Sequence, residues 1–202
     1  MPTFSDDWFS QNIPQWQALF AAVGWDPDLP RTVVEIGSYE GRSALWILEN
    51  LLAHPDSILH CVDTFEGGVE HDAAQTDGLL LRFGRNIETS PGAHKVRAHR
   101  ARSAAALVKL LAEGVRADFV YVDGSHQAPD VLADLVLAFE LLRPGGVLIC
   151  DDYLWSNEPP GQEDVLNSPK LAIDAFTTIY RRKLAFAANA RMWQFACVKT
   201  GD

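Results

Sequence analysis

Five times between Thr32 and Tyr153 a short apolar run gives way to a helical pattern, and that alternation leaves few folds open. The runs are "TVVEIG", "SILHCVDTF", "HKVRAHR", "ADFVYVDG" and "VLICDDY". The helical patterns after them are "GRSALWILENLLAH", "LLLRFGRNIET", "AAALVKLLAEG", "APDVLADLVLAFELL" and, beyond a long loop, "KLAIDAFTTIYRRK". Successive strand–helix units return each strand parallel to the last, with helices on both faces of one sheet. Two closing strand-like runs, "LAFAAN" and "MWQFACVKT", can be joined through "ANAR" as a hairpin that adds an antiparallel edge, giving seven strands.

Local signals fill in the frame. Leu45, Leu48 and Leu52 share one helical face, as do Val131, Leu135 and Phe139, which "RPGG" then ends. Ser103 is placed to cap one helix, and Ser168-Pro169 opens another. At the N-terminus Trp8, Ile13, Trp16, Leu19 and Phe20 recur at helical spacing, with Pro14 dividing the stretch into two pieces. Residues 1–30 are expected to form a helical cap and 31–202 the main domain. The 202 residues suit one domain of this kind, and a formal net charge of −10 argues against binding a phosphate backbone. Cys61, Cys150 and Cys197 form no C-x-x-C pair and sit among apolar residues, as buried thiols do in a reducing compartment. The start carries no apolar leader, and no stretch reaches the roughly 18 apolar residues of a membrane span, so a cytoplasmic protein is expected.

In a parallel sheet ligands bind beyond the carboxyl ends of the strands, so the residues there carry the chemistry. The first strand ends in Glu35-Ile-Gly37-Ser38-Tyr39-Glu-Gly41. Glycines permit a sharp turn and a close approach, and N–H groups at the helix start attract a carboxylate or phosphate. Glu35 would repel a pyrophosphate but suits an ammonium group. Asp63 ends the second strand, where an acid accepts hydrogen bonds from ribose hydroxyls. A ligand with an amino-acid end and a ribose end satisfies both, and S-adenosylmethionine is one. A bare strand-to-helix turn and a solvated loop acid are the plainer readings. Asp123 ends the fourth strand and Asp151-Asp152 the fifth. On neighbouring strands these carboxylates would repel one another unless a hard cation such as Mg²⁺ or Ca²⁺ joined them. Asp123 could instead cap the next helix. His126 stands at the same cleft as a possible general base or an exposed loop residue, and His71 is a weaker second candidate.

These motifs together resemble the class I S-adenosylmethionine-dependent methyltransferases. "EIGSYEGRSA" is similar to the cofactor loop of catechol O-methyltransferase-like enzymes. "DFVYVDGSH", "LLRPGGVLICDDY" and "SPKLAIDAF" resemble a bacterial branch that includes macrocin O-methyltransferase-like and cephalosporin-hydroxylase-associated proteins. The resemblance implies a Rossmann-like α/β fold. It implies that Glu35, Gly37, Ser38, Tyr39, Gly41 and Ser43 hold the methionine part and that Asp63 holds the ribose. It puts Arg102 and Ser103 near the adenine, Asp123 at both cofactor and metal, and Asp151 and Asp152 as further Mg²⁺ ligands. The third ligand in catechol O-methyltransferase is Asn, where this chain has Asp152. His126 falls where that enzyme keeps its catalytic lysine. The implied reaction is metal-assisted O-methylation of a small hydroxylated molecule such as a sugar, natural product or phenol, with a homodimer possible through the N-terminal helices. A non-catalytic cofactor-binding module supporting a partner enzyme is the alternative. A nicotinamide oxidoreductase is disfavoured because G-x-G-x-x-G is absent and Asp123 and Asp151-Asp152 would go unexplained.

Overall fold

The computed structural model describes residues 1–68, 73–187 and 193–202. It contains one seven-stranded sheet, with β1 at Thr32–Ile36, β2 at Ile58–Asp63, β3 at Val96–Arg100, β4 at Ala117–Val122, β5 at Leu142–Cys150, β6 at Leu184–Phe186 and β7 at Phe195–Lys199. The helices are α1 (Ile13–Ala22), α2 (Arg42–Asn50), α3 (Ala73–Thr76), α4 (Leu79–Ile87), α5 (Ser103–Ala112), α6 (Ala128–Leu141) and α7 (Pro169–Tyr180). The strand order is β3-β2-β1-β4-β5-β7-β6. The first five strands are parallel, while β7 runs antiparallel to both β5 and β6.

Both faces of the central strands are buried, which explains their near-continuous apolar runs. Val33, Phe119, Tyr121 and Ile149 face a layer that includes Trp16 and Phe20 of α1, Leu45 of α2 and Phe83 of α4. Their neighbours Val34, Ile36, Val120, Val122 and Leu148 face Leu107 of α5, Leu135 and Phe139 of α6, and Phe176 of α7. Cys61, Cys150 and Cys197 are buried and free, and burial pushes all three thiols up. Among the described residues no helix is long and apolar enough to cross a membrane.

The expected architecture holds, with four local differences. The hairpin forms, but β7 inserts between β5 and β6, so the antiparallel strand is internal and β6 is the edge; the "ANAR" turn lies outside the described residues. The N-terminal stretch does fall into two pieces, a 3-10 turn at Ser10–Asn12 and α1, but they are contiguous, and Pro14 sits in the first turn of α1, where the absent N–H removes no helical bond. Ser103 is the first residue of α5 and the cap position falls to Arg102 in extended conformation, without a side-chain bond. "RPGG" lies within β5 as an irregularity in its pairing with β4 rather than as a separate helix stop. Ser168 does cap α7, accepting from the Lys170 N–H, with Pro169 behind it.

Candidate active site

Register decides where the strand ends meet. Ile36 pairs with Val62 on one side and with Val122 on the other, and Val122 pairs with Cys150. The next residues, Gly37, Asp63, Asp123 and Asp151, therefore emerge level along one rim, with neighbouring strands about 4.8 Å apart. Backbone bonds tie the rim: the N–H of Gly37 donates to Val62, that of Asp123 to Ile36, and that of Asp151 to Val122. Ala101, at the end of β3, donates to Asp63 and brings Arg102 and Ser103 to the same edge. Tyr39, Phe65 and Asp152 are the non-glycine residues with positive φ among those described, and each lies just past a strand of this rim. Such conformations persist where surrounding structure enforces them, commonly at functional sites.

Glu35 is fully buried beneath the turn, with one carboxylate oxygen accepting from the Ser38 hydroxyl at 2.5 Å and the other from Ser43 at 2.6 Å. Burial raises its pKa to about 7 against an ordinary value of 4.5, with the two hydroxyls opposing the shift. The native state thus keeps a proton that the unfolded chain releases above pH 4.5, so this group's contribution to stability falls as pH rises from about 4.5 to about 7. Denaturant unfolding should accordingly show a smaller loss of stability between pH 5 and pH 8 in Glu35→Gln than in the wild type; an equal loss would refute the assignment.

Asp63 anchors the loop from the other side. One of its oxygens accepts from the N–H groups of Ser38 and Tyr39, both at 2.8 Å, and the other from Phe65 at 2.6 Å. Two N–H groups of the turn before α2 are thus held by the acid expected at the ribose, so the glycine loop and Asp63 act as one unit. Gly37 has φ +83, and a Cβ there would lie 1.8 Å from the Asp123 carbonyl oxygen, so the turn packs directly on the end of β4.

The three aspartates also come together. The Tyr121 hydroxyl lies 2.9 Å from Asp123 and also contacts Asp151. Asp151 further accepts from Gln194 at 2.6 Å and Asn12 at 3.4 Å, while Asp152 meets His126 Nε2 at 2.8 Å. Trp155 stacks on the His126 ring with centroids 3.9 Å apart. Burial, followed by repulsion from Asp151 and Asp152, pushes Asp123 well above the usual carboxylate range; burial and then Asp152 raise Asp151. One hydroxyl proton cannot be donated to two carboxylates, so the chain from Asp123 through Tyr121 to Asp151 favours retention of a further proton. The expected closed metal triad is not assembled here: among the described residues no three His, Cys, Asp or Glu side chains share a ligating point. Asp152 is turned to His126, and Asp151 to Tyr121 and Gln194. His71 lies outside the described residues.

Sequence reading missed Tyr121, Gln194 and Asn12, whose partners stand 30, 43 and 139 residues away. It also missed Glu40, which is buried and accepts from the Ser5 N–H at 2.7 Å and from Arg82 at 2.8 Å. With Asp7 bonded to Arg42 at 2.5 Å and Trp8 against Tyr39 at 5.3 Å between centroids, it straps the N-terminal segment over the glycine loop. Trp16 of α1 is core at 1 % exposure.

Comparison with known proteins bears on the family and the fold. No curated protein matches the sequence. Among solved structures, the O-methyltransferase from Bacillus cereus in complex with SAH is 19% identical, covering 97% of this chain and 84% of its own, with a TM-score of 0.68. The O-methyltransferase TomG from Streptomyces achromogenes, involved in tomaymycin synthesis and solved with SAM, is 20% identical, with coverages of 93% and 80% and a TM-score of 0.66. CalS11, a TDP-rhamnose 3'-O-methyltransferase of calicheamicin biosynthesis, is 15% identical, with coverages of 95% and 80% and a TM-score of 0.61. At these identities the likeness is one of fold. A family model described as a methyltransferase domain matches residues 34–153, a stretch that runs from β1 past the acidic end of β5 and takes in more than half of the sequence. The chain belongs to that methyltransferase family.

Proposed function

We propose that the protein transfers a methyl group from S-adenosylmethionine to a hydroxyl of a small molecule. The observation that carries this reading is the level rim on which the Glu35–Asp63 loop unit and the Asp123–Asp151–Asp152–His126 cluster lie side by side. The fold shared with O-methyltransferases solved with SAM or SAH supports the choice of cofactor and acceptor atom.

The cofactor supplies the electrophilic methyl group. Gly37, Ser38, Tyr39, Gly41 and Ser43, with Glu35 beneath, would hold its methionine end; Asp63 would hold the ribose, and Arg102 and Ser103 would border the adenine. On the acceptor side, His126 takes the hydroxyl proton and Asp152 stabilises the resulting imidazolium through their 2.8 Å contact. Trp155 fixes the ring plane. Asp123, joined to the loop through the Gly37 contact, couples the two halves of the site. Positioning alone can supply several kcal/mol of the barrier. The N-terminal cap of residues 1–30 and the loop from Leu154 to Asn167 wall the acceptor side. The reaction is placed in the cytoplasm, where the three thiols stay reduced.

Mg²⁺ is the finer part of the proposal. Asp123, Asp151 and Asp152 line, with His126, a space of about 10 Å³. Three carboxylates are a hard donor set, and they would hold the ion once Asp152 turns from His126 and Asp151 from Tyr121 and Gln194. When bound, it would lower the pKa of the acceptor hydroxyl and orient it. Turnover should be lost in EDTA and restored by Mg²⁺, while SAH affinity stays within about twofold. Turnover untouched by EDTA would assign the carboxylates to proton chemistry with Tyr121 instead.

A further inference from the structure

A cavity of about 430 Å³ lies away from the glycine loop, between α1 and the face of β5, β7 and β6. Its walls are mostly apolar, with Trp16, Ala18 and Ala22 on the helix and Ile149, Phe186 and Val198 on the strands. The volume falls within the roughly 300–1,000 Å³ of small-molecule sites. Two polar groups mark it. Gln15 lines the wall, and its buried Oε1 has no hydrogen-bond partner among the described residues. Gln194 lies at the boundary with the acidic cluster, accepting from Trp16 Nε1 at 2.9 Å and donating to Asp151 at 2.6 Å. Gln194 thus joins the cavity wall to the strand-end carboxylates. A buried acceptor left unpaired carries a free-energy cost that a bound donor removes.

We propose that this cavity holds the apolar ring body of the methyl acceptor. The acceptor would be a ring compound with at least two hydroxyl groups. One donates to Gln15, and the other is presented past Gln194 to Asp151 and His126. The proposal rests on the O-methylation reading and adds a substrate class to it.

Isothermal titration of the full chain, saturated with SAH, tests it with 2,7-dihydroxynaphthalene and its dimethyl ether, which has the same rings without the O–H donors. The wild type should prefer the diol by about tenfold or more. Ala18→Trp, at an exposed helix position, should fill the cavity and weaken diol binding by about tenfold or more, with SAH affinity and circular dichroism unchanged. Gln15→Leu should keep ring binding and shrink the preference to roughly threefold or less. Diol binding by Ala18→Trp equal to wild type, or no preference in the wild type, would overturn the proposal. So would a wild-type dimer that Ala18→Trp dissociates while the diol fails to bind, which would assign the face to a second copy of the chain. Failure of SAH itself to bind would instead remove the underlying methyl-transfer reading, so the two failures are distinguishable.

Discussion

Gly37→Ala should lose about 3–5 kcal/mol of stability, a drop of roughly 10 °C in Tm for a chain of this size, and should lose SAH binding with it. Two costs combine. The residue has φ +83, which costs a non-glycine residue about 1–2 kcal/mol. The added methyl would also lie 1.8 Å from the Asp123 carbonyl oxygen, which is backbone and cannot swing aside. Gly24→Ala separates the terms, because Gly24 has φ +68 with nothing within 4 Å of the added atom. That control should lose only about 1–2 kcal/mol. Thermal unfolding of both variants, together with SAH titration, reads the difference. Equal losses would show that the contact between the β1 turn and the end of β4 contributes nothing.

His126→Ala should lower turnover by about 10²- to 10⁴-fold, the usual contribution of a positioned general base. SAH affinity should stay unchanged, since the histidine is held by Asp152 and Trp155 at the end of β5. His126→Gln distinguishes chemistry from scaffolding. A glutamine can still donate to Asp152 but cannot take a proton near neutral pH. It should remain as slow as alanine and should lack the acid limb expected of a wild type with a histidine base. Recovery of wild-type turnover in the glutamine variant would make His126 a positioning residue and move the proton transfer elsewhere.

What the sequence disclosed, and what it withheld, follows from the range of the interactions. The strands around Glu35, Asp63, Asp123 and Asp151 were legible because both of their faces are buried, so apolar runs mark them and the acids at their ends interrupt those runs. Helix faces such as Val131, Leu135 and Phe139 were legible from their period, and all three are buried. The placement of β7 between β5 and β6 was not, because strand order is settled by tertiary pairing rather than by local pattern. Pro14 was legible as the boundary between two helical pieces, but not as part of the first turn of the second, because its effect depends on where that helix begins. The acidic cluster was found as a set of carboxylates but not as a network. Nothing near Asp151 in the chain announces Gln194 or Asn12, and Tyr121 reads as one more strand aromatic until its hydroxyl is seen between two acids. The same holds for Glu40, an ordinary surface residue type that lies buried under the N-terminal strap.

The central claim is that the ends of β1 and β2 form a nucleoside-cofactor site, and isothermal titration of SAH into the wild type and Asp63→Ala tests it most directly. Asp63 holds three backbone N–H groups of the rim and is the group assigned to the ribose. One-to-one binding with a micromolar Kd, about −8 kcal/mol, that is lost in a folded Asp63→Ala is the expected result. A wild-type protein that takes up no SAH, or a variant that binds it as tightly as the wild type, would contradict the account.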